Sequence, residues 1–209
     1  MISIIDYGMG NLESVTRALR RLGIKNRIID DPRQLQESEA LILPGVGSFP
    51  AAMNNLQQAG FIDPLKDYLA RGAPLLGICL GFQLLFTAGE EGGKEPTSGL
   101  GFFPGTVVSL PSEPGLKIPH MGWNRVYPLF SDPLFAGLQE GFYQYFVHSY
   151  CVLDRGQEGI IARTGYGVDF VAAIGRGMVY GLQFHPEKGG QEGLLILKNF
   201  AQLAAGEGF

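Results

Sequence analysis

The sequence predicts an α/β fold: a mostly parallel central sheet with helices on both faces, joined by a smaller antiparallel sheet from the second half. Three observations lead there. Strand and helix signals alternate through the first ninety residues, the rhythm that builds parallel sheets covered by helices. The second half turns to short strands separated by Gly, Pro and Asp turns. An amphipathic helix at 191–205 then closes the chain.

Each element has a local reason. Residues 2–5 form an apolar run. Asn11 is placed to cap a helix reaching about residue 22, in which Leu12, Val15, Leu19 and Leu22 recur at helical spacing. Residues 25–29 and 40–43 read as strands, the second closed by Pro44-Gly45. Asp63 before Pro64 has the form of a helix start, a cap followed by proline at the first helical position. Leu65, Tyr68 and Leu69 are its apolar stripe. Residues 74–78 read as a short buried strand, with a helix from about Leu80. No charge occurs between Arg71 and Glu90, but Pro74, Gly77, Gly81 and Gln83 interrupt that stretch. A buried strand leading into a buried helix fits it better than a membrane span. Strands are expected at 106–110, 124–127, 142–152, 159–163, 169–174 and 178–184. Without repeats, low-complexity tracts or a linker, one domain over 1–209 is expected.

Composition narrows the function. With 45% hydrophobic and 17% charged residues, the chain has the balance of an ordinary globular protein. A net charge of −4, with Arg20-Arg21 the only basic pair, gives no footprint for nucleic acid or an anionic membrane. Two cysteines cannot form a disulfide framework, and no Cys/His spacing resembles a metal site. The start runs directly into a strand instead of a secretory signal, so a cytoplasmic protein is expected. Thirty-one glycines point to many tight turns and close backbone approaches.

The strongest chemical signal is Gly77-Ile78-Cys79-Leu80-Gly81, between a predicted strand and a predicted helix. A Gly-x-nucleophile-x-Gly turn exposes its central residue at the carboxyl edge of a sheet, where ligands of such folds bind. There a helix N-terminus favours thiolate and can stabilise an oxyanion. The bland alternative is a buried structural cysteine; the paired glycines argue against it for Cys79 and leave it standing for Cys151. The chain offers three histidines as a base. His185 ends the 178–184 strand, and Pro186 biases it towards extended backbone. Glu187 then falls on the same side and can orient the imidazole. His148 lies in an aromatic strand and reads as structural or substrate-lining. His120, in a loop after Pro119, has no evident carboxylate partner. Gln83 sits one helical turn after Cys79, on its face, where a carboxamide suits a polar amino-acid substrate. Pro44-Gly45-Val46-Gly47 follows a buried strand, and its glycines can turn backbone N–H groups towards an oxyanion.

With these residues in view, the chain resembles the class I (triad) glutamine amidotransferases. GICLGFQ, with Cys79 and Gln83, and FHPE, with His185 and Glu187, are similar to that family's two motifs, in its order. DYGMGNL at 6–12, PGVGSF at 44–49, PHMGWN at 119–124 and YFVHSY at 145–150 are similar to the branch serving imidazole glycerol phosphate synthase in histidine biosynthesis. The resemblance spans essentially the whole chain, and its triad motifs show no departure.

The resemblance implies a flavodoxin-like amidotransferase fold and a catalytic triad of Cys79, His185 and Glu187. It implies an oxyanion hole from Leu80 and the Gly45, Val46 and Gly47 backbone, and L-glutamine held by Gln83 and the His148, Ser149 and Tyr150 segment. No cofactor or metal is implied. Trp123, Asn124, Tyr145 and Lys188 would face a cyclase subunit of (β/α)₈-barrel fold in a heterodimer. Two alternatives stay open: the glutaminase of another synthase, and a stand-alone γ-glutamyl hydrolase.

Overall fold

The computed structural model describes residues 1–112 and 115–206. In chain order the elements are β1 (Ile2–Ile5), α1 (Leu12–Arg21), β2 (Asn26–Ile29), β3 (Ala40–Gly45), α2 (Phe49–Gln58), α3 (Ile62–Ala70), β4 (Leu75–Cys79), α4 (Leu80–Leu84) and β5 (Phe86–Gly89). There follow β6 (Thr97–Ser98), β7 (Phe103–Ser109), β8 (His120–Pro128), β9 (Phe142–His148), β10 (Tyr150–Val152), β11 (Ile160–Tyr166), β12 (Val168–Arg176), β13 (Val179–Leu182) and α5 (Gly190–Ala204).

A nine-stranded sheet runs β2-β1-β3-β4-β13-β12-β11-β8-β9. Its first five strands are parallel, in the flavodoxin-like 2-1-3-4-5 arrangement. The other four continue it in antiparallel pairing. The α/β class therefore holds, but the sheet is evenly mixed where a mostly parallel one was expected. The smaller sheet, β10-β7-β5-β6, also differs from expectation: β5 and β6 come from the first half, and β5 pairs with β7 in parallel. Most second-half strands went to extend the large sheet, because hairpin-linked strands add readily to an open edge.

Alternation along each parallel strand supplies two cores. Ile4, Ile42, Leu76 and Ile78 face α1 and α5 through Val15, Leu19, Ile196 and Phe200. Ile5, Leu41, Leu43 and Leu75 face α2, α3 and the small sheet through Leu56, Leu65, Phe86 and Val107. Asn11 does cap α1, its side chain accepting from the Ser14 N–H at 3.3 Å.

Three local expectations are corrected, and one helix is shorter than usual. Helix α3 starts at Ile62, with Asp63 inside its first turn, because the fully buried Phe61 anchors the turn and accepts from the Leu65 N–H. The run 142–152 breaks at Ser149: β9 stays in the large sheet against β8, while β10 crosses to pair with β7. Helix α4 does begin at Leu80 and is only five residues long, because β5 is drawn straight into the small sheet. His120 lies not in a loop but at the start of β8, opposite His148.

Candidate active site

The carboxyl ends of β3, β4 and β13 lie side by side, with Gly45 opposite Cys79 and Leu182 opposite Ile78. Cys79 is the last residue of β4, and α4 begins at the next position. That reversal is sharp. Cys79 has φ 55° and ψ −107°, and no other non-glycine among the described residues has positive φ. Such a conformation costs on the order of 1–3 kcal/mol and persists only where the surroundings enforce it. Its neighbours show how. A Cβ at Gly81 would sit 1.8 Å from the Leu43 carbonyl oxygen, and one at Gly77 would sit 2.8 Å from the Gly81 oxygen. Only glycine lets the strand and the helix approach so closely, so the two glycines are a steric requirement of the elbow.

His185 follows β13 and ends up buried, 2% exposed, at the same sheet edge. Its backbone N–H donates to the Tyr145 carbonyl at 2.9 Å, tying it to β9. Its Nδ1 lies 2.8 Å from Glu187 Oε1. Nε2 is buried without an oxygen or nitrogen partner and faces the Cys79 sulphur. Burial by itself would push His185 down. The nearby Cys79 sulphur, the hydrogen bond to Glu187 and the Glu187 charge together outweigh burial and hold it up at about 10. An imidazole between a cysteine sulphur and a carboxylate is an arrangement that can activate a sulphur nucleophile. The same neighbourhood, burial first and then the Cys79 charge, raises the Tyr7 phenol, which donates to the Pro44 carbonyl at 3.0 Å.

A cavity of about 290 Å³ opens over the thiol, a size suited to a small amino acid. Val46, Gly47, Leu80, Gln83, His148, Ser149 and Tyr150 line it along with Cys79 and His185. Every sequence-predicted substrate and oxyanion residue except Gly45 thus reaches the cavity. Gly45 lies beneath it, where a Cβ would meet Tyr7 Oη at 2.7 Å. Gly47, at φ +108°, gives this loop the freedom to turn its N–H groups inward. Another cavity of about 270 Å³, near Gly105 and Val152, has neither thiol nor imidazole in its wall.

Gln83 does face the site, and its amide nitrogen is fully committed. Nε2 donates to the Tyr150 carbonyl and to Gln183 Oε1, both at 2.9 Å. Two residues here escaped the sequence reading. Gln183, fully buried, also points its Nε2 at the Cys79 sulphur from 3.9 Å. Glu91 lines the cavity while accepting from the Phe49 N–H at 2.7 Å, and supplies a carboxylate able to meet a substrate ammonium. Gln183 had a weak signal, two residues before His185 on the same side of an extended strand; Glu91, in a loop, had none.

Outside the cavity, Trp123 and Tyr145 are cross-strand partners with ring centroids 6.3 Å apart, and Lys188 Nζ lies 5.6 Å from the Tyr145 ring centre. Trp123 is 56% exposed. The three form one surface patch beside the triad. Asn124 does not join it. Its Nδ2 bonds inward to His120 Nε2 and the Gly165 carbonyl. Among the described residues no cluster of three or more metal-ligating side chains occurs, and no helix is long and apolar enough to cross a membrane.

The chain is 50% identical over 202 residues to imidazole glycerol phosphate synthase subunit HisH of Moorella thermoacetica, covering 97% of this chain and 94% of that protein. It is 49% identical to the HisH subunit of Geobacillus kaustophilus, covering 100% and 99%. Among solved structures, a glutamine amidotransferase superposes with a TM-score of 0.74 at 23% identity, covering 98% of both chains. Thermotoga maritima PurLQS gives 0.74 at 21% identity over 97% of each. Those last two speak to the fold. Residues 3–203 match the family model described as glutamine amidotransferase class-I. An elbow cysteine, a His-Glu pair and a full-length family match make one conclusion: this chain belongs to the class I glutamine amidotransferases.

Proposed function

We propose that the chain is the glutaminase subunit of an imidazole glycerol phosphate synthase, a single cytoplasmic domain that hydrolyses L-glutamine and passes ammonia to a cyclase of (β/α)₈-barrel fold. The observation that carries the chemistry is Cys79 and His185 together in the cavity wall, with Glu187 Oε1 2.8 Å from His185 Nδ1. The near-50% identity to HisH subunits supports the particular synthase.

In this reading Cys79 Sγ attacks the side-chain amide carbon of glutamine. The new oxyanion is met by the Leu80 N–H and by N–H groups of the Gly45–Gly47 loop. His185 delivers its proton to the departing nitrogen, the C–N bond breaks, and ammonia leaves a γ-glutamyl thioester. Water then attacks that carbon, gives a proton to His185, and expels the thiolate as glutamate is released. Glu187 fixes the imidazole through Nδ1 throughout. Gln83 and the backbone of the 148–150 segment grip the amino acid, and Glu91 meets its α-ammonium. Ammonia set free in neutral water is protonated and loses its nucleophilicity, so a docked acceptor subunit is required. The exposed Trp123, with Tyr145 and Lys188 beside the triad, is the surface assigned to that contact.

A glutaminase assay of wild type and Cys79→Ala, with and without the cyclase subunit, tests the reading. The variant is expected to lose about 10³-fold or more in kcat. Unchanged turnover would refute the nucleophile. Full activity on γ-glutamyl peptides without any partner would favour the hydrolase alternative.

A further inference from the structure

The two histidines that the triad does not use are buried together. His120 is 3% and His148 6% exposed. His120 Nδ1 lies 3.0 Å from His148 Nε2, and His148 Nδ1 lies 2.8 Å from the Tyr150 carbonyl. At the outer end, Asn124 Nδ2 lies 3.2 Å from His120 Nε2. Each ring is clamped, His120 stacked on Tyr166 at 4.1 Å and His148 edge-on to Phe170 at 5.1 Å.

Hydrogen-bond chemistry gives this chain one direction. A carbonyl only accepts, so His148 Nδ1 carries a proton and donates. A neutral His148 then accepts at Nε2, which obliges His120 Nδ1 to donate. A neutral His120 accepts in turn at Nε2, from the Asn124 amide. Asn124 is oriented for that, because its Oδ1 accepts from the Arg125 N–H and its Nδ2 also donates to the Gly165 carbonyl. A second proton on either ring would set donor against donor. Burial agrees: it pushes His120 down to about 4 and His148 down to about 3, outweighing the Tyr150 hydrogen bond that pulls His148 up.

We infer that His120 and His148 are positioning residues for the glutamine cavity: their one-way chain fixes the Tyr150 carbonyl and, through it, the amide of Gln83. The Tyr150 oxygen receives one hydrogen bond from His148 and one from Gln83. Both Gln83 N–H groups are thereby used, on Tyr150 and Gln183, so Gln83 has only its oxygen to offer. A wall that presents an acceptor selects a substrate that presents N–H donors, as a carboxamide or an ammonium does and a carboxylate does not. Without the His148 donor, the Tyr150 peptide and the Gln83 amide lose their fixed sense.

The inference rests on the glutaminase reading, and the test separates the two. In the assembled enzyme, His148→Leu removes the donor, whereas His148→Asn keeps an N–H close to the Nδ1 position. His148→Leu is expected to raise KM for glutamine about five- to tenfold, the worth of one buried hydrogen bond, with kcat changed less than about threefold. His148→Asn should recover most of the affinity. Equal KM in wild type and His148→Leu overturns the inference, as does a rise of the same size in both variants, or a fall in kcat alone. Should the variants not fold, nitrogen NMR of the wild-type imidazoles decides: both rings neutral with the proton on Nδ1 near pH 7 is expected, and a charged ring or an Nε2-protonated His148 overturns it. Wild type that fails to hydrolyse glutamine would instead sink the glutaminase reading and leave the NMR result standing.

Discussion

At the carboxyl edge of β4 and β13, His185 is buried beside a carboxylate and a thiol and is held up at about 10. Across β8 and β9, His120 and His148 are similarly buried, among aromatic rings and a carbonyl, and are pushed down to about 4 and about 3. Burial opposes charge in both places. The difference lies in the partners: the Glu187 carboxylate and the Cys79 sulphur reach His185, and no acidic group is a hydrogen-bond partner of the other pair. One region is thus built to carry a mobile proton and the other to hold still.

Removing the anion that orients His185 should disturb the first region most. Glu187→Gln keeps the shape but removes the charge, and is expected to lower kcat about 10²- to 10³-fold while lowering the His185 pKa, read from the pH–rate profile. An activity within twofold of wild type would mean that the imidazole is oriented by other groups. The elbow comes next. Gly81→Ala drives a methyl into the Leu43 carbonyl and should destabilise the fold by about 2–4 kcal/mol in denaturant unfolding. A neutral effect would mean that the turn is looser than described. The outer face of β8 should respond least in the isolated chain. Trp123→Ala is expected to leave its stability within about 0.5 kcal/mol and to weaken association with the cyclase subunit by about 1–3 kcal/mol, measured by titration calorimetry. Unchanged association would move the docking surface elsewhere.

What the sequence made legible was local. Cys79 between its glycines, and His185 with Glu187 two positions on, each carry their chemistry within five residues, so the triad could be read before any fold was known. Asn11 and the alternating strands of the parallel half were equally local. The misses share a different cause. Which sheet would take 86–89 or 150–152 depended on distant partners, and a run of β-formers cannot announce a crossover at Ser149. His120 read as a loop residue because its meaning lies across the ladder, opposite His148. Gln183 and Glu91 reach the cavity only once β13 and the loop after β5 are in place. Asn124 was placed on the partner surface only by the resemblance, and strand alternation turns it inward, opposite to Trp123.

The coupling of Cys79 to His185 is the centre of this account, and an NMR titration of the imidazoles in wild type and Cys79→Ala tests it most directly. In wild type, His185 should stay protonated up to about 10, whereas loss of the Cys79 sulphur removes the largest contribution raising it and should lower its pKa by about one unit or more. A His185 that titrates near 6.5, alike in both proteins, would show that the thiol and the imidazole do not meet.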